Sequence, residues 1–472
     1  MKKIIIYIMV LSLGLVSCKD FLTEEPEMSQ SNELTLSKYS GLNDAVAGSY
    51  SRFQSYFWYG ASFILASELR GGNAKNPRSV PGSGRYRVDP FWAYNSTSTS
   101  TIWNYAYATI AAANNVINNL EGKESTEVSQ QQIDDLMGEA LFIRALTYFD
   151  LVITYAQPYT YAPESLGVPV VLVTENGKPA RNTVKEVYDQ IVKDLLAAER
   201  FMSDDYRRSG VTDPLATVRK PAIQALLSRV YLYMGQYQEC ANYATKVIDS
   251  GKFNLATPAQ YKAMWTKEVA DENGEVIFEI YSSKKNEYWD GSGWEQIAYL
   301  TDPTGSGDVS ATRDIVDLYK DGDVRGELFV TNENDYFFTK YAGKEGSSVP
   351  KENNIIVLRL SEMYLNRAEA IYNGASISGV TAASDLLQIT SIRGASEVSP
   401  SPTTIFNERR KELAFEGHIA YDHARTGTSL VRVDYDGVEE YRNISFPSYR
   451  WAMPIPQSEI DANENMVQNE GY

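Results

Sequence analysis

The sequence predicts a mainly α-helical protein built from tetratricopeptide-like helix pairs, with an irregular, loop-rich half that carries a few short strands. Three observations lead to this prediction. Apolar residues recur at helical spacing through several long segments. Residues 219–250 carry the turn glycine and the small packing residues of a tetratricopeptide-type helix pair. From residue 253 to residue 350 the helical periodicity stops, and aromatic residues appear among glycines and serines.

The N-terminal segment predicts export and lipidation. Two lysines precede an apolar run over residues 4–16, which is shorter than the roughly 20 residues of a membrane-spanning helix and typical of a signal-peptide core. Cys18 follows a small residue, as a lipoprotein peptidase requires, and its thiol is the nucleophile that accepts the diacylglycerol. We therefore expect a signal peptide over residues 1–17 and a lipidated tether over residues 18–34. The alternative is an ordinary cleaved signal.

The charge and the cysteine count exclude several kinds of ligand. The chain has 44 basic and 61 acidic side chains, and loss of two lysines with the signal peptide would leave 42 against 61, a net charge of −19. Such a surface repels nucleic acid and anionic lipid. Beyond Cys18 the one other thiol is Cys240, so no intrachain disulfide or cysteine metal cluster can form. We predict a buried structural thiol at Cys240, and no cofactor or metal.

The first third of the chain reads as helices separated by loops. Residues 35–59 have apolar side chains on one helical face and end in an aromatic cluster. Residues 60–89 are rich in glycine and read as loop. A serine and threonine run at 96–101 can cap a helix that contains Trp103, and Gln130–Tyr155 reads as the next helix.

The middle of the chain contains the clearest helix signals. Thr183 and Glu186 have the spacing of a capping box, which predicts a helix through residue 202. Within 219–250, Gly235 separates two helices whose alanines allow a close approach. Val276–Ile280 reads as a short strand inside the loop-rich segment.

The last third returns to helix. We predict helices over residues 355–372, 381–393 and 404–425. The third is heavily charged, but its pairs Glu408–Glu412 and Glu412–Glu416 are like-charged at i,i+4 and therefore repulsive. Pairing along the helix does not explain these carboxylates, so we expect partly buried partners on other elements.

Several segments taken together resemble the SusD/RagB family of outer-membrane lipoproteins from Bacteroidetes. They follow the family order and span nearly the whole chain. The segments are residues 18–22, 138–145, 219–250, 358–370, 407–418 (NERRKELAFEGH) and 454–460, with Gln468-Asn469 and Gly471-Tyr472 at the end.

The resemblance implies a fold, a location and a partner. The fold is a single SusD-like domain over residues 35–472, with helical repeats at about 35–250 and 355–425 and a variable insertion at about 253–350. The location is the cell-surface side of the outer membrane, with the protein held by its lipid anchor. The partner is a SusC-like TonB-dependent transporter, and the ligand is an oligosaccharide. Some members of the family bind peptides instead, so a RagB-like peptide-binding lipoprotein is the alternative.

The resemblance also suggests where ligand could bind. Trp92 and Asn95 precede the Trp103 helix, where family members can place an aromatic ring and an amide against sugar. Aromatic side chains of the insertion could supply the opposite wall: Tyr288, Trp289 and Trp294. Arg70 and Trp58 are further candidates. Trp92 could equally pack beneath a loop, and Trp58 could equally belong to the helical core.

The sequence gives little support to catalysis. The two histidines, His418 and His423, are five residues apart on a predicted helix and so point to different sides. The Gly-x-Ser-x-Gly and His-Glu-x-x-His motifs are absent. Among 61 acidic side chains no glycosidase pair can be singled out, so a surface glycosidase stays as a third reading. We expect a binding protein that is not an enzyme.

Overall fold

The computed structural model describes residues 36–98, 101–123, 128–175, 177–282, 297–347 and 351–472. The predictions for Cys18, Tyr288, Trp289 and Trp294 lie outside these residues. The described helices are α1 Tyr39–Phe53, α2 Ser62–Arg70, α3 Thr101–Leu120, α4 Gln130–Tyr155, α5 Val184–Phe201, α6 Lys220–Tyr233, α7 Tyr237–Asp249, α8 Pro258–Ala263, α9 Ile297–Leu300, α10 Arg313–Val316, α11 Leu360–Tyr372, α12 Ala382–Ile392, α13 Pro402–Glu412, α14 Ile419–Thr426 and α15 Gln457–Ala462.

Antiparallel helix pairing builds the larger part of the core. Helix α4 packs between α3 and α5, α6 packs on α7, and α11 packs on both α7 and α12. The mainly α-helical prediction is confirmed. No helix within the described ranges combines the length and the apolarity that crossing a lipid bilayer requires.

Two predicted helix starts are defined by side-chain caps. Thr183 and Glu186 form the predicted capping box at the start of α5, with the Thr183 hydroxyl accepting from the Glu186 backbone N–H. Ser129 and Gln132 form a second box at the start of α4. Each box satisfies backbone donors that a helix N-terminus would otherwise leave without partners.

The α6–α7 pair has the predicted tetratricopeptide-like geometry. Gly235 adopts φ +68° in the turn between the two helices, a conformation that costs glycine no Cβ clash. Cys240 is fully buried between the helices, and burial raises the pKa of its thiol to about 12. Cys240 is therefore a packing residue, as predicted.

The described strands are short and form three sheets. They are β1 Ala74–Lys75, β2 Val276–Ile280, β3 Ser310–Ala311, β4 Phe329–Asn332, β5 Asp335–Phe338, β6 Ile355–Arg359, β7 Leu430–Val431 and β8 Asn443–Ile444. The sheet orders are β1-β3-β5-β4, β2-β6 and β7-β8, and every pairing is antiparallel.

Two helix predictions need correction. Residues 355–359 are strand β6, paired with β2, because three consecutive β-branched residues favour an extended chain there. The charged segment 404–425 is two helices, α13 and α14, rather than one. Between them Phe415 and Gly417 have φ values of +63° and +87°, which no right-handed helix can accommodate.

The charged helix α13 finds its partners on other elements, as predicted. The Glu412 carboxylate is buried and accepts from Arg359 at 2.6 Å, Arg393 at 2.8 Å and Arg325 at 2.9 Å. These arginines hold the pKa of Glu412 well below its usual value. Glu416 pairs with Arg359 at 2.8 Å. The network joins the loop-rich half to the helices around one buried carboxylate.

Candidate functional site

The tight turn between α1 and α2 contains four consecutive aromatic residues, 56–59. Two of these side chains are buried and two are partly exposed. Trp58 and Tyr59 point into the core, whereas Tyr56 and Phe57 are partly exposed. A Cβ at Gly60 would lie 2.6 Å from the carbonyl oxygen of residue 54, so only glycine allows the chain to return so sharply. The turn therefore presents two rings at the surface on a fixed backbone.

These two rings are part of a larger surface, which we call the aromatic surface and define by Tyr56, Phe57, Tyr86 and Tyr105. All four side chains are partly exposed. The ring centroids of Tyr56 and Phe57 are 5.1 Å apart, and those of Phe57 and Tyr105 are 5.6 Å apart. The hydroxyl of Tyr86 donates to that of Tyr56 at 2.9 Å. Three segments that are distant in sequence thus meet at one patch of rings.

Tyr86 is held in an unusual backbone conformation. Its φ is +60°, a region that non-glycine residues rarely occupy and that surrounding contacts must enforce. The Tyr86 hydroxyl lies 3.2 Å from the Ser62 hydroxyl, and burial raises its pKa well above the usual value. The exposed Arg85 places its guanidinium 5.8 Å from the Tyr56 ring centroid. The aromatic surface therefore carries phenol hydroxyls and one cation at its margin.

The described residues on either side of the 283–296 segment hydrogen-bond to the same turn. The side-chain amide of Gln54 donates to the backbone carbonyl of Tyr281. The backbone N–H of Ile297 donates to the carbonyl of Gly60 at 2.9 Å. The predicted ligand residues Tyr288, Trp289 and Trp294 lie between these two positions in sequence, although outside the described residues.

The structure does not present three of the predicted ligand residues to solvent. Trp58 and Trp92 are fully buried and Arg70 is 1% exposed. Trp92 packs edge-to-face on Trp451 at 5.0 Å, and the Arg70 guanidinium lies 4.9 Å from the Trp92 ring centroid. The expectation of direct ligand contact by these three side chains is therefore corrected, because a ring without an open face cannot stack on a ligand. Trp58 and Trp92 are core anchors.

The side chain of Asn95 is exposed, but it accepts hydrogen bonds from its own loop. Its side-chain oxygen accepts from the backbone N–H of Thr97 at 3.0 Å and from the Thr97 hydroxyl at 2.6 Å. This is the local turn that asparagine favours in loops. Asn95 is therefore a surface amide whose oxygen is already engaged.

The sequence contained a signal for one of the residues that the prediction missed. Tyr105 is two positions from both Trp103 and Tyr107, which places its ring on the opposite side of the helix from the apolar stripe that these two residues begin. Phe57 belongs to the same aromatic cluster as Trp58, but sequence alone does not say which ring of a turn faces outward. No sequence signal linked Tyr86 to this surface.

The described residues offer no metal centre. No group of three or more His, Cys, Asp or Glu side chains in these ranges could hold a metal ion. Both histidines are buried, and burial lowers the pKa of each to about 4. The arrangement of the aromatic surface is suited to noncovalent binding of a ligand that has apolar faces and polar edges.

Comparisons with known proteins connect this fold to a family. The family model described as starch-binding and associating with the outer membrane matches residues 20–232, and the SusD family model matches residues 327–472. A SusD superfamily protein of Bacteroides thetaiotaomicron has a solved structure with 30% sequence identity and a TM-score of 0.81. That comparison covers 91% of this chain and 99% of the other.

Two curated proteins are also similar to this chain. SusD-like protein P2 of Formosa agariphila is 25% identical over the full length of both chains. The starch-binding protein SusD of Bacteroides thetaiotaomicron is 32% identical over 126 residues, which are 26% of this chain and 22% of that protein.

Proposed function

The chain belongs to the SusD/RagB family, and from that premise we propose that it is a cell-surface lipoprotein that captures oligosaccharides and delivers them to a SusC-like TonB-dependent transporter. The family supports glycan binding in association with the outer membrane. Lipidation at Cys18, the outward orientation, the transporter and the noncatalytic mechanism belong to our proposal.

The aromatic surface is the observation that carries the binding part of the proposal. Sugar rings present C–H faces that pack on the faces of aromatic rings, and their hydroxyls hydrogen-bond to polar groups at the ring edges. Phe57 and Tyr105 offer rings 5.6 Å apart, beside Tyr56 and Tyr86, whose hydroxyls hydrogen-bond to each other. The net charge of −17 disfavours anionic glycans, so we expect a neutral oligosaccharide.

The insertion supplies the second half of the proposed site. Residues 281 and 297, which lie on either side of the insertion segment in sequence, both hydrogen-bond to the turn that carries Phe57. We propose that Tyr288, Trp289 and Trp294 contribute the wall opposite that surface. Two rings on separate segments would enclose a sugar from both faces.

Membrane attachment follows from the N-terminal sequence. Two or three acyl chains on Cys18 would hold the protein on a membrane durably, since each buried CH₂ contributes about 0.8 kcal/mol. A peptide ligand instead of a glycan is the alternative within the same architecture. A hydrophobic patch with hydrogen-bonding edges accepts either class.

Titration calorimetry with two sets of ligands tests this function. The mature protein is titrated with a panel of neutral oligosaccharides and, separately, with a peptide digest. The proposal predicts saturable heat with at least one glycan and none with the peptides. Heat with peptides alone would replace the glycan assignment by the peptide alternative. Steady release of new reducing ends from a polysaccharide would show that the protein is a glycosidase.

A further inference from the structure

A cleft of about 780 Å³ lies between the loop that follows α4 and the C-terminal segment of the chain. We call it the C-terminal cleft and define it by Gln157, Tyr161, Arg181, Tyr449, Gln468 and Asn469. None of these residues belongs to the aromatic surface. The volume lies within the range of cavities that hold small organic ligands.

Two tyrosine rings line the C-terminal cleft. Tyr161 is 50% exposed and Tyr449 is 37% exposed. Tyr161 makes an edge contact with Phe446 at 5.2 Å, and Tyr449 makes one with Tyr472 at 5.1 Å. Each ring is thus positioned by a neighbouring ring and still leaves a large area open.

A buried acceptor without a donor lies in the same cleft. The Gln157 side-chain N–H group donates to the carbonyl oxygens of Ser448 at 3.3 Å and Tyr449 at 3.1 Å, which fixes the amide orientation. Its Oε1 atom is buried and has no donor among the described residues. Solvent does not reach this atom, so Gln157 contributes to the cleft by holding residues 448 and 449 in place.

Arg181 has four of its five guanidinium N–H groups engaged within the protein, and the acidic Glu470 lines the same cleft, so the cleft does not favour an anion. Arg181 donates to the backbone oxygens of Gly167, Leu166 and Val467 at 2.6, 2.7 and 2.9 Å. It also donates to the side-chain oxygen of Asn469 at 2.7 Å. The guanidinium is therefore used to hold the C-terminal segment in place. A neutral ligand with hydroxyl groups and apolar faces matches a cleft that is lined by two tyrosine rings.

We propose that the C-terminal cleft is a second saccharide site, which binds one to a few units of a neutral glycan. Tyr161 and Tyr449 pack on the sugar faces. The glycan class is taken from the proposed function, but the site is separate from the aromatic surface. A long chain could engage both sites at once, which raises overall affinity without new contacts at either site.

Fluorine NMR with one labelled tyrosine tests this site directly. We would place 3-fluorotyrosine at position 161 and, in a second sample, at position 105. Malto-, cello-, xylo- and mannohexaose are added to about 10 mM, enough to saturate a site of millimolar Kd. The proposal predicts a saturable shift of the Tyr161 resonance with at least one of these sugars. The variant Tyr449→Ala should weaken that response roughly 10-fold, as expected for the truncation of one aromatic contact.

The two labels separate the failure of this site from the failure of the proposed function. A shift at position 105 and none at position 161 overturns the second site alone. A shift at position 161 alone supports the cleft and contradicts the aromatic surface, and silence at both positions overturns both. An unchanged titration of the Tyr161 label in the Tyr449→Ala variant would also overturn the proposal.

Discussion

The indole N–H of Trp58 donates a 2.8 Å hydrogen bond to the Asp150 carboxyl group in the middle of the core. The two side chains are 0% and 2% exposed. This contact ties the turn that carries Tyr56 and Phe57 to the central helix α4. The buried tryptophan thereby positions the rings that face solvent.

Asp150 makes stability depend on pH in a direction opposite to that of most carboxylates. Burial raises its pKa from the usual 3.8 to about 7 in the folded protein. The folded state therefore keeps a proton on Asp150 that the unfolded state has already released. The stabilisation from this proton is complete below about pH 4 and is lost as pH rises through about 7. We expect Asp150→Asn to gain in unfolding free energy relative to wild type between about pH 5 and about pH 8. If chemical unfolding gives the same difference in unfolding free energy between the two proteins at every pH, this account is contradicted.

The Glu412 network should be sensitive to the loss of one charge. Glu412→Gln preserves the shape of the side chain but removes the negative charge shared by Arg325, Arg359 and Arg393. Breaking a buried charge network in this way costs about 3–5 kcal/mol of unfolding free energy. The control is Glu397→Gln at an exposed position, which should be close to neutral. Equal effects of the two variants in denaturant melts would show that the network contributes nothing specific.

The turn under the aromatic surface should not tolerate a side chain at Gly60. In Gly60→Ala the new Cβ would meet the carbonyl oxygen of residue 54 at 2.6 Å, so the backbone must shift. We expect a loss of about 1–3 kcal/mol in stability, in the range of sterically strained substitutions. Gly48→Ala in α1 is the matched control, since nothing lies within 4 Å of its Cβ. Thermal unfolding of both variants checks the prediction, and an undisturbed Gly60→Ala protein would contradict it.

The insertion tryptophans are predicted to anchor ligand. Trp289→Ala or Trp294→Ala should weaken glycan binding by about 1–3 kcal/mol, the cost of truncating an aromatic anchor. Ser292→Ala in the same segment is the control and should leave affinity unchanged. Calorimetric affinities that stay at the wild-type value in both tryptophan variants would remove this segment from the site.

Most of the fold could be predicted because long periodic segments and caps are local signals. The bounds of Gln130–Tyr155 and the capping box at Thr183 depend on residues within a few positions of each other. Strand β6 and the break at Phe415 were missed for a different reason. The strand depends on pairing with residues about 80 positions earlier in the chain, and the break depends on the left-handed conformations of Phe415 and Gly417.

The candidate site was only partly predictable, since an aromatic residue looks the same in sequence whether it faces the core or the solvent. Trp58 was named as a ligand candidate and Phe57 was not, yet the Trp58 indole is held in the core by its hydrogen bond to Asp150. Tyr86 and Tyr105 reach the turn through tertiary contacts with Tyr56 and Phe57. That the side-chain oxygen of Gln157 has no donor can be recognised only from the structure, because it depends on the orientation of the amide.

The most direct test of the central claim is the affinity of a Phe57→Ala/Tyr105→Ala double variant for the neutral oligosaccharide that binds wild type most tightly. The rings lie at the surface, so stability should change little while binding weakens by about 2 kcal/mol or more. Tyr372→Ala, a 43% exposed tyrosine at the end of α11, is the matched control and should bind like wild type. Calorimetry that gives the double variant wild-type affinity would contradict the assignment of the aromatic surface as the glycan-binding site.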